Sequence, residues 1–324
     1  MKPTSSNKQT ALIFSGGTGR SGTTVVADLL NQHPDVRSSL PIELKFVSNA
    51  GGLLDITFGS QFAPQKVLAP VPFYSLRTRR NRRLLEIEKD AKNLLLFAEK
   101  IKSQWWDIDS PPPHGRGLVS GITQEVFTGI FDDFKKKFNR NKKLAAFEFL
   151  ARVVESQSNN QGEKLWIETT PMNIANADRL IELIPDARFI NMIRDPRDVI
   201  ASLLTKNWGP TTPLEGIEWY EKRITAGHLS LSKIAPHQQI TIALEELAIY
   251  DRDATYKRLR EFLSIDDAPE MAAFFAQSMR PESASSGRWK EEITDPAFIP
   301  AYEAMVERLN AAGVLHYCNE RSGI

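Results

Sequence analysis

Short apolar runs alternate along the chain with segments whose apolar residues recur at helical spacing. The run Ala11–Ser15 closes on glycines and is followed by Thr23–Leu30, whose apolar residues lie on one face of a helix. The runs Leu165–Ile167, Arg188–Ile193 and Ile240–Leu244 each precede a further helical pattern. Strands that alternate with helices predict a parallel sheet covered on both faces. We therefore predict an α/β fold whose sheet has at least four strands, and we interpret the pattern as five.

The pattern changes between residues of about 60 and 161, where proline-rich turns and charged amphipathic helices replace the apolar runs. Examples of these helices are Leu84–Ile101 and Glu125–Phe138. No linker rich in glycine and serine separates this part from the rest. We predict one domain over residues 1–324, in which residues of about 60–161 form a helical insertion on the sheet.

Composition and charge exclude several classes of protein. The chain has 324 residues, 41% of them hydrophobic, and 41 Lys and Arg against 40 Asp and Glu give a net charge of +1. No overall basic field is available to bind nucleic acid. The single cysteine, Cys318, excludes an internal disulfide, and no Cys/His cluster has zinc-ligand spacing. The sequence also has no apolar segment of membrane-spanning length, and we predict a cytoplasmic protein. The absence of zinc-ligand spacing predicts no bound metal.

A glycine-rich segment, Ser15–Thr24, lies between the first strand and the first helix. Backbone N–H groups and the helix dipole make such a turn an anion site, so phosphate or sulfate is the natural ligand. Gly17, Gly19 and Gly22 also satisfy the dinucleotide pattern G-x-G-x-x-G. A Rossmann unit needs a second strand ending in an acidic residue, and Asp35–Phe46 contains Pro41 and is a poor central strand. The poor strand pattern of Asp35–Phe46 therefore argues against a dinucleotide-binding Rossmann unit.

Three other interpretations of the glycine segment were compared. Gly17–Thr24 nearly matches the Walker A pattern, but Thr23 occupies the position of the lysine that contacts phosphate. The segment also lacks the second glycine of a nucleophile elbow, which disfavours a serine hydrolase. A turn without a ligand fits poorly with three glycines and four polar side chains at one helix start. A nucleotide kinase or other P-loop NTPase stays open as the rival enzyme.

The segment resembles a known family. Phe14–Pro34, with its Gly-Arg-Ser-Gly-Thr-Thr core and the following Gln32–Asp35, resembles the 5′-phosphosulfate loop of sulfotransferases that use 3′-phosphoadenosine-5′-phosphosulfate (PAPS). It is most similar to the branch with the tyrosylprotein and bacterial enzymes. The resemblance implies a P-loop-like parallel sheet and the product 3′-phosphoadenosine-5′-phosphate (PAP). It also implies that the donor contacts Gly19, Arg20, Ser21, Gly22, Thr23 and Thr24, with Arg20 also in catalysis.

A second motif supports the same family. In Phe189–Ser202 an arginine, Arg194, leaves a strand, a proline opens a helix, and Ser202 follows eight residues after the arginine. This order resembles the family's 3′-phosphate motif, and it implies that Arg194 and Ser202 hold that phosphate. The alternative for Arg194 is an ion pair with a neighbouring aspartate. For Arg197 we predict that the main role is an ion pair with a carboxylate on the protein surface.

Two further segments extend the resemblance. Ser285–Lys290 resembles the C-terminal loop that closes over the nucleotide, which implies donor contacts for Arg288, Trp289 and Lys290. A packing role for the tryptophan ring stays open. Ile242–Leu247 and the helix after it resemble another family segment, and we interpret Glu245 and Glu246 as structural, in helix capping.

Transfer to a hydroxyl or amine requires a base close to the acceptor. We predict Glu43 as this base, because it follows the first helix and resembles the glutamate of tyrosylprotein, heparan and bacterial sulfotransferases. His114 and Glu168 are the alternatives. Many relatives have a lysine at the position of Thr169, and Lys45 is our candidate for the missing cation.

Taken together, these motifs predict a PAPS-dependent sulfotransferase with no metal. The rival outside the enzymes is a PAP-binding protein that has lost turnover. We expect a small-molecule or carrier-bound acceptor on the helical insertion, no nucleic acid and no membrane span. The basic run Arg77–Arg83 is interpreted as a solvated helix face. The acceptor's identity and the oligomeric state do not follow from the sequence.

Overall fold

The computed structural model describes residues 10–59, 76–106, 117–157 and 163–317. Five parallel strands form one sheet in the order β2-β3-β1-β4-β5. The strands are β1 (Ala11–Gly17), β2 (Val36–Ser38), β3 (Leu165–Glu168), β4 (Arg188–Ile193) and β5 (Gln239–Ala243). The predicted α/β class with five parallel strands is confirmed. The strand that none of the four apolar runs had indicated is β2. It is short and lies at the sheet edge, where a nearby proline is tolerated.

Helices connect the strands, and their bounds follow the predicted apolar spacing closely at α1, α4 and α7. They are α1 (Thr23–Leu30), α2 (Leu53–Phe58), α3 (Leu76–Lys100), α4 (Gln124–Phe138), α5 (Lys142–Ser156), α6 (Ala177–Leu183), α7 (Pro196–Leu204), α8 (Pro213–Leu231), α9 (Arg252–Leu263), α10 (Pro269–Ser278), α11 (Trp289–Glu292) and α12 (Phe298–Ala311). The helical pattern that follows the Leu165–Ile167 run begins as a 3-10 turn over Pro171–Asn176 rather than as regular α-helix. There the Asn176 side chain donates to the Met172 carbonyl at 2.9 Å, a local bond that competes with regular helix.

The chain divides into two compact units, residues 1–38 with 159–324, and residues 39–158. The first unit contains the sheet, and Phe14 of β1 stacks on Phe189 of β4 in its core. The second unit packs its helices around aromatic rings, among them Phe134 and Phe149 with centroids 4.9 Å apart. A single domain with a helical insertion stays a prediction. Within the described ranges, no helix is long and apolar enough to cross a membrane.

The strand order places the glycine segment at a special point of the sheet. β1 lies between β3 and β4, so the chain goes from β1 to β2 on one side of it and later crosses from β3 to β4 on the other side. In open parallel sheets, ligands bind outside the carboxyl ends of strands where the strand order reverses in this way. The turn after Gly17 lies at that position.

Gly17 is required by the close approach of β1 to β4. A Cβ atom on this residue would collide with the Met192 carbonyl oxygen and lie 2.7 Å from the Ser21 hydroxyl oxygen. We therefore expect Gly17→Ala to lower the free energy of unfolding by about 1–3 kcal/mol, the usual cost of overpacking. Urea denaturation measures this change.

Gly129 is the matched control for that substitution. It lies inside α4, and a Cβ atom there would meet no atom within 4 Å. Gly129→Ala should stabilise the protein by about 0.5–1 kcal/mol through helix propensity. Equal unfolding midpoints for Gly17→Ala and the unsubstituted protein would contradict the packing argument.

Candidate active site

The glycine segment forms a cradle of left-handed backbone before α1. Gly19, Arg20 and Gly22 have φ values of 83°, 56° and 93°. A non-glycine residue in this region is uncommon and marks a turn that the surroundings hold in place. Within the described part of the chain, no hydrogen bond uses the backbone N–H groups of residues 20–24 as donors. N–H groups arranged in this way at a helix start bind anions.

The Arg20 side chain joins the first motif to the second. Its Nε donates a hydrogen bond to the Ser202 hydroxyl at 2.9 Å, although the two residues are 182 positions apart. Ser202 lies on α7 and is buried. The structure thus brings together two of the residues predicted to contact opposite ends of the donor.

Arg194 follows β4 and is 7% exposed. Its guanidinium donates to three carbonyl oxygens, those of Arg20 at 3.1 Å, Ala284 at 2.8 Å and Ser285 at 2.9 Å. Its Nε is buried and has no hydrogen-bond partner. Burial lowers the pKa of Arg194, the charges of Asp198 and Glu245 oppose this fall, and those of Arg288 and Arg20 add to it. Arg194 thus combines a buried planar guanidinium with an unused Nε donor, which suits recognition of an anion.

Asp198 attaches the segment after Ala284 to α7. Its carboxylate accepts the backbone N–H of Gly287 at 2.8 Å and that of Trp289 at 3.3 Å. Burial raises the pKa of Asp198, while the bond from Gly287 and the charge of Arg194 oppose this rise. Arg194 and Asp198 together hold residues 284–289 beside the glycine segment.

The three predicted residues at the end of this segment have different surroundings. Arg288 pairs with Glu292 at 2.8 Å, on the exposed side of α11. The Trp289 ring stacks on the Arg197 guanidinium at 4.6 Å and packs against Phe298. Lys290 is exposed, with its Nζ 5.9 Å from the Trp289 ring. The tryptophan therefore has the packing contacts that the sequence left open, and donor contacts for these residues stay a prediction.

The surface location predicted for Arg197 is wrong. It pairs with a carboxylate, Asp195, at 2.7 Å, but both side chains are buried. The cause is aromatic cover, since the Trp289 and Tyr302 rings lie 4.6 and 5.0 Å from the guanidinium. Asp195 also accepts the N–H of Arg197 and so caps α7.

Glu245 is a buried titratable group beside these arginines. One carboxylate oxygen accepts the N–H of Asp195 at 2.9 Å, and the other is buried without a hydrogen-bond partner. Burial raises the pKa of Glu245 to about 7, although the charge of Arg194 opposes the rise. Glu245 lies two residues after β5, at the carboxyl edge of the sheet, where α/β proteins bind ligands. This position is the sequence signal that marks Glu245 as a site residue.

This burial makes stability depend on pH. Glu245 titrates near 4.5 when unfolded and near 7 when folded, so the folded protein holds more protons between these values. Stability should therefore fall as pH rises through this window. Relative to Glu245→Gln, which keeps an acceptor oxygen, the unsubstituted protein should lose about 2–3 kcal/mol between about pH 5 and pH 8.

Urea denaturation across this pH range measures the difference. The exposed Glu303 of α12 provides the control, because Glu303→Gln should leave the pH dependence of the unsubstituted protein unchanged. Parallel stability curves for Glu245→Gln and the unsubstituted protein would show that Glu245 ionises normally in the fold.

The candidate bases lie in different parts of the molecule. Glu43 and Lys45 belong to the unit of residues 39–158, where both are half-buried. Glu168 ends β3 and is fully buried, and it accepts hydrogen bonds from the Thr170 backbone and hydroxyl and from Asn173. Thr169 beside it is also fully buried.

Other sequence candidates fall partly or wholly outside the structure's described residues. His114 lies outside them, as do the side chains of Arg77, Arg79 and Arg82, whereas Arg80 and Arg83 are exposed. Among the residues that the structure does describe, no three or more histidine, cysteine and acidic side chains cluster to hold a metal ion.

Comparison with known proteins supplies an independent finding. The sequence profile of the sulfotransferase family matches residues 12–269, more than half of the chain. A sulfotransferase domain from the olefin synthase of Synechococcus PCC 7002 is similar in structure, with 15% identity and a TM-score of 0.51, over 96% of this chain and 98% of that one. No curated protein matches the sequence.

Two bacterial sulfotransferase structures also align. The enzyme from Mycobacterium avium has 18% identity and a TM-score of 0.45, covering 95% of this chain and 78% of that one. The enzyme from Alicyclobacillus acidocaldarius has 17% identity and a TM-score of 0.41, covering 91% and 95%.

Proposed function

This chain belongs to the sulfotransferase family, and we propose that it transfers the sulfuryl group of PAPS to a hydroxyl or amine of an acceptor. The observation that carries the choice of donor is the meeting of Arg20, Ser202 and Arg194 beside the glycine cradle. Two anion-binding motifs in contact fit a donor with phosphate groups at both ends of one nucleoside.

The cradle supports the 5′ side of the proposal. Its N–H groups over residues 20–24 are directed to no protein acceptor in the described ranges, and α1 begins there. Together with the hydroxyls of Thr23 and Thr24, these groups would hold the 5′-phosphosulfate. In this proposal Arg20 neutralises charge on the phosphate that leaves.

Arg194 and Ser202 support the 3′ side. A guanidinium has five N–H donors, and three of those of Arg194 are used on carbonyl oxygens. Nε and one further N–H stay available for a phosphate oxygen, and the Ser202 hydroxyl has a hydrogen to donate. Arg288 and Lys290 add positive charge in the same segment and would complete this phosphate site.

The proposed roles are divided between the donor-binding residues and the unit of residues 39–158. Bound PAPS supplies the sulfuryl group, which passes from the phosphate oxygen to the acceptor. Glu43 accepts the proton of the attacking hydroxyl or amine, with Lys45 as a nearby cation. The arginines and N–H groups stabilise the negative charge that grows on the phosphate, so the proposal includes no metal ion. The acceptor, a small molecule or a carrier-bound group, would contact the unit of residues 39–158.

Ligand-dependent thermal unfolding tests the choice of donor. PAP at about 100 times its dissociation constant adds about 2.7 kcal/mol and should raise the melting temperature by several degrees. ATP with Mg²⁺ and NAD at equal concentrations should give much smaller shifts. Stabilisation by ATP with Mg²⁺ and not by PAP would assign the cradle to an NTPase.

Turnover requires a second measurement. Release of PAP from PAPS is followed in the presence of a panel of alcohols, phenols and amines, with an acceptor-free control for hydrolysis. Acceptor-dependent release supports the proposed reaction. Tight PAP binding without release over a broad panel would instead indicate a binding protein that has lost turnover.

A further inference from the structure

A cavity lies in the sheet-containing unit, lined by residues of the strands and of α8. Its volume is about 240 Å³, and it begins beside Gly17 and Thr18. Part of its lining is apolar and comes from Ile174, Ile224, Leu231 and Leu315. The remaining lining is polar, with Arg223 and His228 of α8 facing residues of β4 and β5. Convergent polar groups in an apolar pocket are the usual form of a small-molecule site.

Arg223 is the cation of this cavity. Its guanidinium stacks on the Trp219 ring at 4.6 Å, and its one described hydrogen-bond acceptor is the sulfur of Met172, a weak acceptor. No described carboxylate forms an ion pair with it, and burial alone lowers the pKa of Arg223. Arg223 is half-buried, and a partly desolvated charge without a counter-ion favours an anionic ligand beside it.

The strands add polar groups where an apolar sheet face is expected. Asn191 lies in the middle of β4 between apolar residues and is buried, and it donates to the Thr241 hydroxyl of β5 at 3.2 Å. Both residues line the cavity. Among the described residues that line it, none is acidic. The charge and hydrogen-bond donors therefore favour an anion, while the apolar part of the lining favours an organic one.

We propose that this cavity binds a small organic carboxylate with an apolar body. The planar guanidinium of Arg223 suits the two oxygens of a carboxylate, and the apolar part of the lining suits a ring or a short branched chain. The side-chain amide of Asn191 and the imidazole of His228 are the further polar contacts that the cavity provides. The site is separate from sulfuryl transfer, because it uses none of the residues proposed for the donor or for proton transfer.

Benzoate is the probe for this site. Isothermal titration calorimetry at constant ionic strength should show binding with a dissociation constant of about 1 mM, which is typical for so small a ligand. With PAP saturating the donor site, benzyl alcohol, which keeps the ring but not the charge, and inorganic sulfate, which keeps charge but not the ring, should each bind at least about 10-fold more weakly. Saturating PAP should leave benzoate binding in place.

Variants locate the binding. Arg223→Gln should weaken benzoate binding at least about 10-fold, whereas Arg280→Gln, at an exposed arginine, should not change it. Ala175→Phe keeps Arg223 but fills space from a half-exposed position of the lining, and it should also abolish binding. Circular dichroism shows whether each variant is folded, and Ala175→Phe decides the question if Arg223→Gln is not.

Three outcomes would overturn the proposal. They are no heat of binding up to about 20 mM benzoate, equal binding by the Ala175→Phe variant, and displacement of benzoate by PAP, which would place the probe in the donor site.

Discussion

Arg194→Ala is expected to lower kcat/KM for PAPS by about 10²–10⁴-fold. Two charge-assisted hydrogen bonds to the 3′-phosphate would be lost, each worth about 1.5–3 kcal/mol. The substitution also removes the bonds to Arg20 and to residues 284–285, so the cradle loses one of its supports. Initial rates over a range of PAPS concentrations, with calorimetric binding of PAP, measure both effects.

The controls for this result separate charge from geometry. Arg194→Lys keeps the charge but not the planar fork, and it should recover only part of the activity. Arg280→Ala removes an exposed arginine whose side chain donates only to the Ala276 carbonyl among its described contacts, and it should leave the kinetics unchanged. Unchanged PAP affinity in Arg194→Ala would exclude this residue from the donor site.

Glu43→Gln is expected to lower kcat by about 10²–10⁴-fold, the usual contribution of a general base. The affinity for PAP should stay within about two-fold, because the substitution removes no group proposed to hold the donor. The fall of kcat/KM at low pH, where a carboxylate base becomes protonated, should disappear in the variant. Single-turnover rates across pH test the expected fall in rate and its pH dependence. Calorimetric titration with PAP tests the expected affinity.

Two comparisons make the Glu43 result decisive. Glu155→Gln alters an exposed glutamate of the same unit and should behave like the unsubstituted protein. Glu168→Gln tests the alternative base, although its carboxylate is already engaged by Thr170 and Asn173. Near-normal kcat in Glu43→Gln, together with a large loss in a folded Glu168→Gln variant, would move the base to Glu168.

The elements that sequence patterns predicted well are those whose signal is local. β1, β4 and β5 each concentrate apolar residues in a short segment, and α7 begins with an Asp-Pro pair that both caps and starts a helix. β2 has only three residues and is stabilised by its pairing with β3, a contact that no local pattern shows. The 3-10 turn at Pro171–Asn176 has a different cause, because a local bond from the Asn176 side chain to the Met172 carbonyl competes with regular helix.

The features of the candidate site also fall into two groups, those with a local sequence signal and those without one. The motif residues were found because glycine, arginine and proline occur at defined spacings around strand ends. Burial was not predictable, because the rings that cover Arg197 belong to Trp289 and Tyr302, roughly a hundred positions later in the chain. The high pKa of Glu245 likewise depends on the packing of several segments around one carboxylate. Periodicity reports which face of an element is apolar, but not which distant residues enclose it.

The course of the chain through the sheet has an evolutionary consequence. Residues 39–158 leave the sheet-containing unit after β2 and return before β3, as one uninterrupted stretch. Every residue proposed to hold the donor is encoded before or after that stretch. Duplicated copies of the gene are thus able to accumulate changes in this stretch, outside the proposed base Glu43, without altering the strand pairing or the hydrogen bonds of Arg194. We expect homologues to diverge fastest there, so that one inherited donor site serves many acceptors.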